Sequence, residues 1–140
     1  MGETTSRTPE LSLKDTFLRA VAGLPEEDVR AAVVAEALGY LQQGFDAHYA
    51  RGERTDDDVL LGDNAYALAV ETIARLDEPR FVAVASRMIR DGAGRIAAGE
   101  AVSLQLWTPH LAGLLDIISG EGEERSEARI TEAAGELLSG

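Results

Sequence analysis

Cysteine is absent from this sequence of 140 residues. That excludes disulfides and thiolate metal sites, and removes any reason to expect an oxidising compartment. Aromatic residues are few: one Trp, three Phe and three Tyr. A chain so poor in aromatics, and rich in alanine, leucine and glutamate, suits helices better than sheets. No run of about 18 apolar residues exists, so a membrane span is not expected. The first residues, Met1 to Pro9, are polar and do not read as a signal peptide. The expected location is the cytoplasm. Positive charge is also scarce, with 13 basic residues against 25 acidic and a formal net charge of -12. Such a chain is repelled by a nucleic-acid duplex or an anionic membrane surface, so nucleic acid is not an expected partner. Lys14 is the only lysine.

What remains reads as an all-α protein of one domain. Residues 1–9 form a polar tail without periodicity, and residues 10–140 a single helical domain. A first helix is predicted from Leu11 to Ala22. Ser12 is its cap, Asp15 holds the third position, and Phe17, Leu18 and Val21 make its apolar stripe. Pro25 and the acids Glu26, Glu27 and Asp28 predict the start of a second helix running to Tyr49. Its residues Val34, Leu38, Leu41, Phe45 and His48 are spaced 4, 3, 4, 3. A third helix starts near Asp56 and repeats that spacing in Gly62, Tyr66, Ala69, Ile73 and Leu76. Leu61, Ala65 and Leu68 widen its stripe, which predicts a helix central to the bundle.

Glu78-Pro79 breaks that helix and opens a fourth, to Gly99, with Phe81, Ala85, Met88 and Gly92 on one face. The small residues from Gly92 to Gly99 predict close approach of another backbone. Thr108-Pro109 predicts the cap and first residue of a fifth helix carrying Leu111, Leu114, Leu115 and Ile118. A sixth, from Glu123 to Leu138, turns Ile130, Ala134 and Leu137 inward. Five or six helices on short loops predict an antiparallel bundle.

Chemistry is thinly represented. No Gly-x-Ser-x-Gly elbow and no lysine-bearing phosphate loop are present. His48 closes an apolar face without a second ligand four residues away, so it is expected to be a hydrogen-bonded residue at a helix end. His110 is expected to be polar surface. Asp56, Asp57 and Asp58 fan around a helix start rather than sharing a face. Asp63 follows Gly62 on a face expected to be partly buried, with Arg87, Arg90 or Arg95 as its ion-pair partner.

The stretch Gln43-Gly44-Phe45-Asp46-Ala47-His48, followed by Val59-Leu60-Leu61-Gly62-Asp63-Asn64-Ala65-Tyr66, resembles the trans-isoprenyl diphosphate synthases. There a helix ending in His-Asp-Asp precedes one opening with Val-Leu-x-Gly-Asp, and Gly99-Glu100 resembles the closing Gly-Gln or Gly-Glu. The likeness covers roughly Leu38 to Glu100. It implies an isoprenoid-synthase-like fold in which Asp46, His48, Gly62, Asp63 and Tyr66 are the family-motif positions. The two aspartate-rich motifs of catalytic members are missing, since Asp46 stands alone at the first and no Asp pair follows Thr108. The branch it looks most like is the small, non-catalytic subunits of heterodimeric medium-chain (hexaprenyl or heptaprenyl) polyprenyl diphosphate synthases. The resemblance then implies a larger catalytic partner that holds the magnesium, while this chain has no cofactor or catalytic residue and helps set prenyl chain length. Leu61, Leu68, Gly92, Ile96 and Gly99 are the candidate interface. Two other readings are a stand-alone helical interaction protein that forms a homodimer, and a small metal-dependent enzyme using Asp46, Asp57, Asp58 or Asp63.

Overall fold

The computed structural model describes residues 12–48, 56–100 and 103–139. Six helices account for most of them: α1 Leu13–Ala22, α2 Arg30–His48, α3 Asp56–Ala74, α4 Pro79–Ala97, α5 Leu104–Ser119 and α6 Glu123–Ser139. No strand occurs among the described residues. The polar tail predicted at residues 1–9 lies outside them.

Cross-helix contacts fix the directions. Gly44 faces Tyr66 and Gly62 faces His48, so α2 and α3 run antiparallel. Asp91 meets His110 and Gly92 meets Trp107, which sets α4 against α5 in the same way. Arg19 pairs with Glu136, and Gly23 receives Arg129, so α1 and α6 are likewise opposed.

The central helix is α2, not α3. Helix α2 packs against α1, α3, α4 and α5, whereas α3 touches only α2 and α4. The alanines explain the exchange. Ala31, Ala35 and Ala37 are buried along with Val34, Leu38, Leu41 and Phe45, so α2 is covered over most of its circumference. Small side chains let neighbouring axes approach on every side. The bulkier apolar residues of α3 outnumber its neighbours, and Leu60 and Leu61 stay 69% and 63% exposed. In α1, Phe17 is buried as expected, but Leu18 is exposed and Leu13, Thr16 and Ala20 complete the inner face. In α6, Ile130 and Ala134 are buried and Leu137 is not.

Helix starts follow local hydrogen bonding. Ser12 caps α1 by accepting from the Asp15 N–H at 3.1 Å. Helix α2 starts at Arg30 rather than at Pro25. Asp28 accepts the Arg30 N–H at 2.9 Å and forks its guanidinium at 3.0 and 2.8 Å, which caps α2 at that point and leaves residues 25–29 outside the helix. Helix α5 starts earlier than Thr108-Pro109 predicts, and Pro109 lies inside it. An interior proline costs about 3 kcal/mol. Burial of Trp107 against Phe45 offsets that cost and keeps the first turn helical.

Helix α4 runs unbroken through Gly92. A Cβ there would lie 2.5 Å from Phe45 Cε1 and 2.8 Å from Trp107 Cη2. Close approach therefore explains Gly92. Gly94 meets nothing within 4 Å, and Gly99 adopts φ +74 just past the helix end.

Ion pairs pin the loops. Glu121 holds Arg129 at 2.6 and 3.0 Å, and Arg129 also donates to the Gly23 carbonyl, tying α6 to the end of α1.

Two outcomes follow from this packing. Gly92→Ala, measured by urea unfolding, should destabilise by about 1–3 kcal/mol through overpacking. Gly135→Ala, on an open helical position, should stabilise by about 1 kcal/mol. On the acid side, hydrogen bonds from Arg80 hold the Glu78 carboxyl at about 2, below its ordinary 4.5. Arg30 lowers Asp28, and Arg129 lowers Glu121. A carboxyl lowered in the folded state stabilises above its unfolded value, and that contribution disappears as pH falls through the folded one. Melting temperature should therefore fall as pH drops from about 4.5 towards about 2.

Candidate functional site

Glycines at the α2–α3 and α2–α4 crossings let five rings meet in series. His48 stacks on Tyr66 with centroids 5.2 Å apart, and Tyr66 tilts against Phe45 at 5.5 Å. Phe45 stacks on Trp107 at 4.8 Å, and Trp107 tilts against His110 at 6.2 Å. Gly44 makes room for the Tyr66 ring, Gly62 for His48, and Gly92 for Phe45 and Trp107. A side chain at any of the three would have to displace an aromatic ring.

Each end of the series carries a histidine–carboxylate pair. His48 Nε2 lies 3.1 Å from Asp63 Oδ1, and His110 Nε2 lies 3.0 Å from Asp91 Oδ2. A carboxylate only accepts, so Nε2 is the protonated nitrogen in both rings. The imidazoles are mostly buried, at 15% and 14% exposure, and the Asp63 carboxylate is 64% exposed. One pair ties α2 to α3 and the other ties α5 to α4.

This corrects two expectations. Asp63 is on an exposed face and pairs with His48, not with an arginine of α4. His110 is not surface decoration but the buried end of the ring series. Its sequence signal was its position three residues after Trp107 and four before Leu114, which places it on the inward face of α5. Asp91 gave no comparable signal.

The family-motif positions converge in space. His48, Gly62, Asp63 and Tyr66 form one cluster, and Phe45 and Gly44 complete it. Asp46 is exposed on α2. The candidate interface positions scatter. Leu61 is exposed, Leu68 and Ile96 are half-buried, Gly92 is enclosed by the chain's own rings, and Gly99 ends α4. Among the described residues no three His, Asp or Glu side chains are grouped as a metal ion requires, and no helix is long and apolar enough to cross a membrane.

The Tyr66 hydroxyl is the anomaly of the cluster. It is buried and has no hydrogen-bond partner among the described residues. Burial, with the Asp63 charge adding to it, pushes its ionisation up from 10.0 to about 12.

Compared with protein-family models, with curated proteins and with solved structures, the chain matches none.

An unsatisfied buried hydroxyl costs stability, so Tyr66→Phe should stabilise by about 1 kcal/mol in chemical denaturation. The neutral phenol is favoured in the folded state. Its contribution is present below about pH 10 and lost as pH rises towards about 12. One of the three tyrosines should accordingly titrate late by phenolate absorbance, and Tyr66→Phe should remove that late step. A double-mutant cycle on His48→Ala and Asp63→Asn should return a coupling of about 0.5–1 kcal/mol, since one partner is mostly solvated.

Proposed function

We propose that this chain is a non-catalytic helical subunit that works by docking on another protein, with a larger polyprenyl diphosphate synthase chain as the partner. The exposed first turns of α3 are the observation that carries the docking role. Val59, Leu60 and Leu61 are consecutive large apolar residues, 38%, 69% and 63% exposed. Successive helical side chains stand about 100° apart, so the three fan over the outer side of the first turns of α3 as a broad apolar surface. They adjoin the Gly62-Asp63 turn, which His48 and Tyr66 hold in place, so the patch sits on a rigid base.

The choice of partner rests on the resemblance of Gly44 to His48 and Leu61 to Tyr66 to the small-subunit motif. The clustering of those positions supports it, because the motif then serves to lock α2 to α3. In this reading the partner carries both aspartate motifs and the magnesium, and this chain helps shape the apolar pocket that sets product length.

The test is co-expression with the larger aspartate-motif synthase chain of the same organism, followed by a prenyl-elongation assay. The two chains should co-elute, and elongation should need both. Replacing Leu60 and Leu61 by Glu should weaken the complex at least about tenfold. Turnover by this chain alone, or unchanged elongation by the larger chain without it, would overturn the reading.

A further inference from the structure

Helix α3 has helical neighbours only in α2 and α4, so one side of it is left uncovered. At 100° per residue that side carries Leu60, Leu61, Asn64, Ala67 and Leu68. All but the half-buried Leu68 are exposed, and none is charged. Asp63 falls within this stretch but turns to the α2 side, where it meets His48.

Acids close the stretch at both ends. Asp57 stands three residues before Leu60 and Glu71 three after Leu68, both exposed and on the same side as the leucines. Neither side chain makes a hydrogen bond or an ion pair among the described residues. At 1.5 Å of rise per residue the two acids are roughly 21 Å apart along the helix. Arg75, the one basic residue between Asp56 and Asp77, lies beyond Glu71.

This surface selects its occupant. The described residues contain no strand edge to extend, so a docking chain must fit its side chains between helical rows, as another helix does. An apolar stripe closed at each end by an unpaired acid is the counterpart of a helix whose apolar stripe is closed at each end by a lysine or arginine. A second copy does not supply that. Two α3 faces with their leucines in contact oppose acid to acid in either direction, Asp57 to Glu71 when antiparallel and Asp57 to Asp57 when parallel. Helix α4 carries several arginines but exposes no large apolar side chain.

We propose that the outer face of α3 takes a basic amphipathic helix of another protein, an inference that rests on α3 as the docking helix and not on the polyprenyl partner. The apolar stripe of that helix covers Leu60, Leu61 and Leu68, and its basic ends meet Asp57 and Glu71.

Fluorescence anisotropy tests it with two blocked, labelled peptides of about 18 residues, both with leucines at helical spacing. One has lysines in its first and last turns, and its twin has glutamates there. The lysine peptide should bind the full chain with a Kd on the order of tens of micromolar at low salt, and the twin at least about tenfold more weakly. Leu60→Ser with Leu61→Ser should weaken the lysine peptide at least about tenfold. Asp57→Asn with Glu71→Gln should weaken it about threefold and flatten its salt dependence, since those pairs lie at a solvated rim. Circular dichroism melts confirm that each variant is folded. Glu123→Gln, Glu124→Gln and Glu127→Gln, on the exposed acidic side of α6, should leave the affinity unchanged. Absence of binding, equal binding of the twin, or an affinity that follows the α6 changes rather than the α3 ones overturns the inference. So does a homodimer, seen by sedimentation equilibrium, that Leu60→Ser with Leu61→Ser dissolves, because the occupant is then a second copy. Peptide binding at α3 without co-elution of the larger synthase counts against that partner alone. Co-elution that depends on Leu60 and Leu61, with no preference for the lysine peptide, counts against the basic helix alone.

Discussion

Phe45 is the residue through which the bundle is joined. Its ring lies against Tyr66 of α3 on one side and Trp107 of α5 on the other, and it closes over Gly92 of α4. Four helices therefore meet on one side chain of α2. The contact is available only because Gly44, Gly62 and Gly92 carry no side chain where the rings pass. An aromatic ring brings a large buried area and a strong preference in orientation, so it fixes helix spacing more firmly than an aliphatic residue would. With so few aromatics in the chain, concentrating three of them with two histidines in one series sets the geometry with few residues.

The two histidine–carboxylate pairs finish that arrangement at its ends. Each buries most of an imidazole and leaves its charge partner nearer solvent. That placement lets the rings contribute area without isolating a charge, whose burial alone would be costly. The Tyr66 hydroxyl departs from this pattern, being enclosed without a partner among the described residues. A phenylalanine there would fill the same space without leaving a buried donor unpaired.

Holding α3 against α2 has a consequence at the surface. Helix α3 is an edge helix with the apolar content of a central one, and its surplus emerges at Val59, Leu60 and Leu61. The helical turn at Gly62-Asp63 beneath them is tied to α2 by the His48–Asp63 contact and by the His48 ring over Gly62.

The six helices and most of the core were legible in the sequence, because spacings of 4 and 3 in Val34, Leu38, Leu41 and Phe45, or in Phe81, Ala85, Met88 and Gly92, suit one helical face and no strand. Ser12 and Gly92 were legible too, since a cap and a close approach each need a particular residue type. What the sequence left open is which helix lies at the centre, where α2 and α5 begin, and what His48, Asp63 and His110 touch. Periodicity reports how wide an apolar stripe is, not how many neighbours exist to cover it, so α3 read as central and proved to be an edge. Local cap signals at Pro25 and Thr108-Pro109 were outweighed by the Asp28–Arg30 fork and by burial of Trp107. Pairings between helices depend on register, and register is settled only when whole faces pack together.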